Sequence, residues 1–501
     1  MNGELLKRQD SMSMTNAGRY FGRLWSRGFE SLLCGSPGGR SILRISGNNS
    51  GQYLQGLVTS DVLKIAIRNP PKSEIPIITD DNETPVPEFN PKLQPTTFLD
   101  ERGRLISDGM LWKNTSAQTF YLEVPESSSQ VILEHLQGHK VGRSNKTVEI
   151  SDVTNSQSSI HVIHGTLLSS PDQEDSPLQT GLDPRHPSLG LRLLSNFSET
   201  SAETRHAKLS QMLNQTQFPN SPGTYELLRH LNGIAEGHDE LNGKTPLECN
   251  FDFLGDSISF HKGCYLGQEL TARSFYKGVV RKRILPIFFI DTRTELPFPW
   301  KQAYKQYRDK ITSAAESKSN NKDDEFEDEI LQTESFPPAL EFLPLPRLGV
   351  YDAAGVMSIL QGIQPNSLNS VKNMPNNDAE PIIKEVLNSQ ANLDLLQELQ
   401  THAIRGNKIF NQANGQTVGE IISMRPFGNS SLVLAQLRLE YIHLLQTKDE
   451  VNHHDEDVDH TKWRPNNKVR VGESKMEFRM LPYVPLWWPN VDRATGKAIK
   501  E

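Results

Sequence analysis

The stretch TTFLDERGRLISDGMLWK, Thr96 to Lys113, constrains the fold more than any other part of this 501-residue chain. Two apolar runs flank Asp100-Glu101-Arg102-Gly103, a polar tetrapeptide ending in glycine, and that pattern reads as two β-strands closed by a tight turn. Around this hairpin, GGRSILRISG reads as a strand ending at Gly47, and Gly51 to Val62 carries Tyr53, Leu54, Leu57 and Val58 at helical spacing. Gln118 to Val124 and Thr147 to Val153 read as strands on either side of a helix over Ser128 to Gln137. Strands and helices mix without a strict β-α-β rhythm, so the class is α+β.

Further along, HVIHGTLL and GLRLL read as strands separated by Ser-, Asp- and Pro-rich loop, and Pro222 to Gly237 resumes helical periodicity. Beyond Arg283, ILPIFFI, RLGVYDAAG, TVGEIISM and SSLVLAQLRL predict the strands of a separate small barrel. Insertions interrupt it: an acidic one at about 310–334 and a second at about 364–404, whose part from Pro381 to Ile404 reads as helical. The expected organisation is therefore a leader and linker over 1–38, an α+β region over 39–283, and a barrel domain over 284–470 with those two disordered insertions. A Pro- and Trp-rich tail over 471–501, FRMLPYVPLWWPNVD at its heart, is expected to dock on the body or to bind a partner.

The leader has its own pattern. Ser11 to Phe29 contain no acid, Arg19, Arg23 and Arg27 recur every fourth residue, and Phe21, Trp25 and Phe29 fall on the opposite face. That is the amphipathic, Arg- and Ser-bearing pattern of a mitochondrial presequence. A net charge of -8 gives no global attraction to polyanions, and no apolar run approaches the roughly 20 residues of a spanning helix, so neither nucleic acid nor membrane insertion is expected. Three cysteines, Cys34, Cys249 and Cys264, match no zinc spacing and fit thiols in a reducing compartment.

The densest chemistry lies in KGCYLGQELTAR, Lys262 to Arg273. Gly263 and Gly267 allow a tight turn beside Cys264, and Glu269 stands four residues before Arg273, the favourable order on a helix. With ISF read as a short strand before it, the thiol is expected at a strand-to-helix junction, near helix-end amides and the charges of His261 and Lys262. Such surroundings activate a thiol as nucleophile or as ligand to a soft metal. Cys249, in PLECNFD with acids and no cation nearby, reads as an ordinary packed residue, and Cys34 belongs to the leader region.

This run, preceded by ISF and followed by KGVVRKR, resembles the signature of the YgfZ/GcvT-like folate-binding family and its mitochondrial iron-sulfur cluster assembly branch. YLQGLVTSDV (Tyr53 to Val62), FLDERGRLISD, DPR (Asp183 to Arg185), YELLRHLNGIAEG (Tyr225 to Gly237), VGEIISM, LVLAQLRLE and PLWWP extend the resemblance in order from about Arg40 to Pro489. It implies ferredoxin-like α+β domains around a folate pocket, a C-terminal β-barrel, and tetrahydrofolate as cofactor. Tyr225, Asn250, Lys262, Gly263, Tyr265, Gly267, Gln268, Glu269 and Arg273 would form the pocket, although Tyr225 reads equally as a core tyrosine on its helical face, with Cys264 as the functional centre and one ligand of a transient, shared iron-sulfur cluster. It also implies maturation of [4Fe-4S] proteins of the aconitase and radical-SAM types, A-type scaffold partners and the mitochondrial matrix. Two positions depart from the family pattern: Ala235 opens the AEG tripeptide, and His261 precedes the signature.

The alternative is a folate-dependent aminomethyltransferase-like transfer of one carbon, which requires a catalytic acid. None is assignable among Glu226, Glu236 and Glu248, whereas a thiol that this reaction does not need is prominent. HHDEDVDH, His453 to His460, lacks the patterned His pair of a zinc helix and reads as an acidic loop, and GSPGGR lacks the GK[ST] ending of a phosphate loop. Asp100, Glu101 and Asp108 read as structural acids around the turn, with Arg102 and Arg104 at a pocket edge.

Overall fold

A computed structural model describes residues 28–32, 38–63, 93–114, 118–142, 145–154, 158–164, 178–186, 189–195, 223–292, 347–348, 393–412, 415–427, 430–439, 468–485, 487–489, 491–492 and 495–499. The presequence pattern up to Arg27, Cys34, the acidic insertion at 310–334 and HHDEDVDH lie outside these residues. The chain divides into two compact units, with a boundary between Gly278 and Val279.

The first unit begins with β1 (Gly28–Ser31), β2 (Arg40–Ser46), α1 (Ser50–Gln55) and the hairpin of β3 (Leu93–Leu99) and β4 (Leu105–Asn114). It continues through β5 (Thr119–Pro125), α2 (Ser129–Gly138), β6 (Glu149–Asp152), β7 (Ser159–His164), β8 (Leu178–Leu182) and β9 (Leu191–Ser195). Three helices follow, α3 (Thr224–Leu231), α4 (Gly237–Leu241) and α5 (Gln268–Tyr276). The predicted α+β class is what forms: an antiparallel five-stranded sheet, β3-β4-β5-β2-β6, and an antiparallel four-stranded sheet, β1-β7-β9-β8.

Alternation along the strands of the larger sheet separates an apolar face from a charged one. Phe120, Leu122 and Val124 of β5 join Leu43, Ile45, Phe98, Leu111, Ile132 and Leu136 in one buried cluster, with α2 contributing the last two. The intervening positions turn to the other face, where Arg40, Asp108 and Glu123 are buried as well. A sheet covered on both faces shows few exposed positions, and a charge buried on such a face requires partners.

Two expectations are corrected here. Gly28–Ser31 fell within the stretch assigned to leader and linker, yet β1 pairs antiparallel with β7 over four residues, and the Leu32 amide donates to Ile160 O at 3.0 Å. The ordered chain therefore starts earlier than position 39, where the strand-like GGRSILRISG places it. Ile258 to Phe260 form no strand: Ser259 N donates once, to Thr59 O at 2.9 Å, and Phe260 stacks on Phe275 with centroids 3.7 Å apart. Cys264 therefore follows a loop, not a strand.

The second unit holds β10 (Lys282–Asp291), β11 (Arg347–Leu348), α6 (Leu393–His402), β12 (Lys408–Asn411), β13 (Thr417–Phe427), β14 (Ser430–Arg438), β15 (Lys468–Val471), β16 (Phe478–Pro482) and β17 (Val484–Pro485). Six of them close the expected barrel in the order β10-β14-β13-β12-β15-β16. Phe478–Pro482, counted with the tail in the sequence, is a barrel strand because its five residues are all buried and pair with β10 and β15. Likewise the end of the 364–404 stretch is ordered: α6 buries Leu395 and Leu399 and packs against β14. Trp488 of the tail is buried beside the Arg283 guanidinium, which donates twice to Gly496 O, at 2.9 and 2.7 Å.

Candidate functional site

The loop bearing Cys264 is built onto a short turn of the same unit. Helix α1 ends at Gln55, and the last carbonyls of any helix lack intrahelical partners. Here the loop supplies a donor to the last of them, Gln55 O, and to carbonyls of the turn that follows. The Lys262 ammonium donates to Gln55 O at 2.7 Å, Val58 O at 2.5 Å and Ser60 O at 2.9 Å, and the Leu266 amide donates to Gly56 O at 2.9 Å. Ser259 N on Thr59 O completes the seam on the near side of the loop, and Thr59 Oγ1 donates to Ser257 O at 2.6 Å.

Past the thiol, Gly267 adopts φ +75° as the residue before α5. A Cβ there would lie 2.6 Å from Asp100 O and 2.9 Å from the Gly103 Cα, while one on Gly103, at φ +77°, would lie 2.7 Å from Gly267 O. The hairpin turn and the start of α5 thus meet backbone to backbone, a contact open only to glycine. Gly263 differs: a Cβ there meets no atom within 4 Å. Asp100 acts within the turn, its Oδ1 accepting from Arg102 N at 2.9 Å and Arg104 N at 2.7 Å, as expected of a structural acid.

Cys264 is exposed and lines an open cleft of about 1050 Å³ formed by the turn residues Asp100, Glu101, Arg102 and Arg104 and by Tyr265, Gly267, Gln268, Glu269 and Arg273. Three guanidinium-bearing side chains and three acids therefore surround one accessible thiol. The predicted α5 forms, and Glu269 and Arg273 both border the cleft, although among the described residues no ion pair joins them. The charge expected beside the thiol from Lys262 is directed elsewhere: burial and three backbone carbonyls claim its ammonium, which also sits 4.7 Å over the Tyr265 ring. Burial draws the Lys262 pKa down to about 7, with Asp61 opposing. His261 is exposed, and Cys249 is buried, in keeping with its reading as a packed residue.

Tyr225 and Asn250 do not share this cleft. Tyr225 is fully buried, with the guanidinium carbons of Arg40 and Arg192 5.4 and 5.0 Å from its ring centroid. Its hydroxyl donates to Glu236 and accepts from Arg40 Nη2 at 2.6 Å and Arg185 Nη2 at 2.7 Å. Asn250 is buried at φ +66°, ending a 3-10 turn over Leu247–Cys249. A pterin stacked on Tyr225 needs an accessible ring, and guanidinium groups of the chain itself lie over this one. As arranged here, these residues do not fit a bound folate.

What surrounds Tyr225 is a buried ionic cluster. Arg192 bridges Glu123 and Asp183, the latter at 2.7 Å; Arg185 pairs with Asp183 at 2.8 Å and with Glu236; Arg40 reaches Glu236 at 2.7 Å. Arg229 pairs with Glu226 and Glu240, each at 2.8 Å. Burial alone would raise the Glu236 carboxyl, but Arg40, Arg185 and Arg229 together hold it well below its ordinary value. Asp108 goes the other way, to about 6, because burial and the neighbouring Glu236 outweigh Arg40 and Arg185. Glu226 and Glu236 are thus committed to guanidinium partners, and Glu248 is half-buried, with the Thr245 amide 3.4 Å away.

Sequence reasoning missed Arg40 and Arg192 altogether. Their signal is an arginine inside an otherwise apolar strand, RSILRIS and LRLLS, which burial makes meaningful only when carboxylates arrive from distant segments.

No protein-family model matches the chain. Curated proteins named "Iron-sulfur cluster assembly factor IBA57 homolog, mitochondrial" do. That of Coccidioides immitis is 30% identical over 275 residues, covering 52% of this chain and 57% of the relative. That of Aspergillus oryzae is 30% identical over 270 residues (50% and 55%), and that of Dictyostelium discoideum 28% over 277 residues (50% and 60%). The match spans little more than half the length of these relatives, and it bears out the family resemblance carried by the Cys264 motif. Among solved structures, the glycine cleavage system aminomethyltransferase T of Bartonella henselae aligns with a TM-score of 0.48 at 8% identity, over 95% of this chain and 88% of that one.

Proposed function

We propose that this chain is a mitochondrial iron-sulfur cluster assembly factor in which Cys264 provides one thiolate ligand to a cluster in transit. The observation that carries the reading is an exposed thiol at a cleft, on a loop fixed to its neighbours at both ends. The names of the curated relatives supply the chemistry. Thiolates are the usual ligands of iron-sulfur clusters, and a cluster needs more than one. Among the described residues, no group of three or more His, Cys, Asp or Glu is placed to hold a metal ion. The remaining ligands in this proposal come from a partner of the A-type scaffold class, and the recipients are [4Fe-4S] proteins of the aconitase and radical-SAM types in the matrix.

The chain's own part is to hold the thiol in position, to expose it to a docking protein, and to offer Arg102, Arg104 and Arg273 to acidic groups on that partner. Replacing the endogenous gene with the Cys264→Ser form tests the proposal. Aconitase activity and protein lipoylation are expected to fall to the level of the gene deletion, and normal values of both would sink it.

A further inference from the structure

Lys262 is held by more of the protein than a side chain at the edge of a ligand pocket would be. Three convergent backbone carbonyls, those of Gln55, Val58 and Ser60, accept from one ammonium that is 8% exposed. A lysine ammonium is a compact charge with three donors, so this cradle uses its full donor capacity. The same turn receives the Ser259 amide on one side and the Leu266 amide on the other. Between those two anchors lie six residues, Phe260 to Tyr265, and Cys264 sits two residues after the lysine within that span.

We propose that Lys262 is a positioning residue that pins the Cys264 loop onto the carbonyls of the Gln55–Ser60 turn, so that the thiol is offered from a fixed backbone. The proposal draws on the assembly reading only for what the thiol does. In its protonated form the amine makes charge-assisted bonds to carbonyls that would otherwise be left without partners, and removing the donor leaves those carbonyls unsatisfied. Loss of the ammonium therefore loosens the loop on the turn side, while the glycine contact between Gly267 and the Asp100–Gly103 turn still holds its far end.

Hydrogen exchange on the full chain tests this. In Lys262→Met, exchange at the Ser259 and Leu266 amides is expected to rise at least tenfold, with protection in β10 and β14 unchanged. Lys262→Arg, which returns a cation and donors to the cradle, is expected to recover part of that protection and part of the cluster maturation lost in Lys262→Met. Unchanged protection at Ser259 and Leu266 in Lys262→Met would overturn the proposal, as would a folded Lys262→Arg as defective as the methionine form. A silent Cys264→Ser would instead refute the assembly reading and leave the exchange result standing.

Discussion

Gly103 and Gly267 pack against each other with no room for a side chain on either: a Cβ on Gly267 would fall 2.9 Å from the Gly103 Cα, and one on Gly103 would fall 2.7 Å from the Gly267 carbonyl oxygen. A hairpin turn and the Cys264 loop, 164 positions apart in the chain, are joined at this point. Both residues also have positive φ, near +75°.

Alanine at Gly267 combines a left-handed backbone, about 1–2 kcal/mol, with a backbone clash, and is expected to lower stability by about 2–4 kcal/mol in total. Gly263→Ala, where a Cβ meets nothing within 4 Å, is expected to change it by less than about 0.5 kcal/mol. Urea unfolding of the two variants beside the parent chain decides the matter, and equal effects would contradict the packing described.

The two described cysteines should differ in reactivity under native conditions. Iodoacetamide is expected to modify Cys264, which is exposed, and to leave Cys249 unmodified until urea unfolds the first unit. Peptide mapping by mass spectrometry after timed labelling reads this directly.

Asp108 predicts a pH dependence. Its folded pKa of about 6 lies above the ordinary 3.8, so the group favours folding while protonated, fully below the unfolded value, and loses that contribution as pH rises through about 6. Asp108→Asn carries no charge at any pH and keeps an acceptor for the Gly237 amide, now 2.7 Å from Asp108 Oδ1. It is expected to be more stable than the parent chain at pH 7.5, by on the order of 2 kcal/mol, with the difference vanishing below pH 4. Thermal unfolding from pH 4 to pH 8 would show it.

Glu236→Gln removes the shared partner of Arg40, Arg185 and the Tyr225 hydroxyl while leaving the guanidiniums buried. Breaking a buried pair from one side costs about 3–5 kcal/mol, and a fall of that size in urea stability is expected. A change below about 1 kcal/mol would mean that the cluster reorganises around the loss.

The parts of this molecule legible in the sequence are those whose cause is local. Asp100 to Gly103 announces its turn through residues that make that turn, and Gln268 to Tyr276 announces a helix through spacing. The barrel strands around Ile287, Ile421 and Val433 are apolar because each is buried where it stands. Tyr225 was not legible in this way. Its surroundings come from Arg40, Arg185, Arg192 and Glu236, brought together by two sheets and a helix, and no local pattern distinguishes a stacking platform from a tyrosine enclosed by guanidiniums. The Lys262 cradle was hidden for a related reason: its acceptors are backbone atoms, which every residue possesses.

The closure of the barrel has a bearing on how the second unit folds. Strand β10 is bordered on one side by β14 and on the other by β16, which comes from near the end of the sequence. While the chain folds, one edge of β10 keeps its amides and carbonyls unpaired until Phe478–Pro482 docks against it. An uncovered edge of Ile287, Phe288 and Phe289 is a surface to which other strands adhere. A chain cut before Phe478 would therefore keep that edge open, and the second unit is complete only when its late strand closes it.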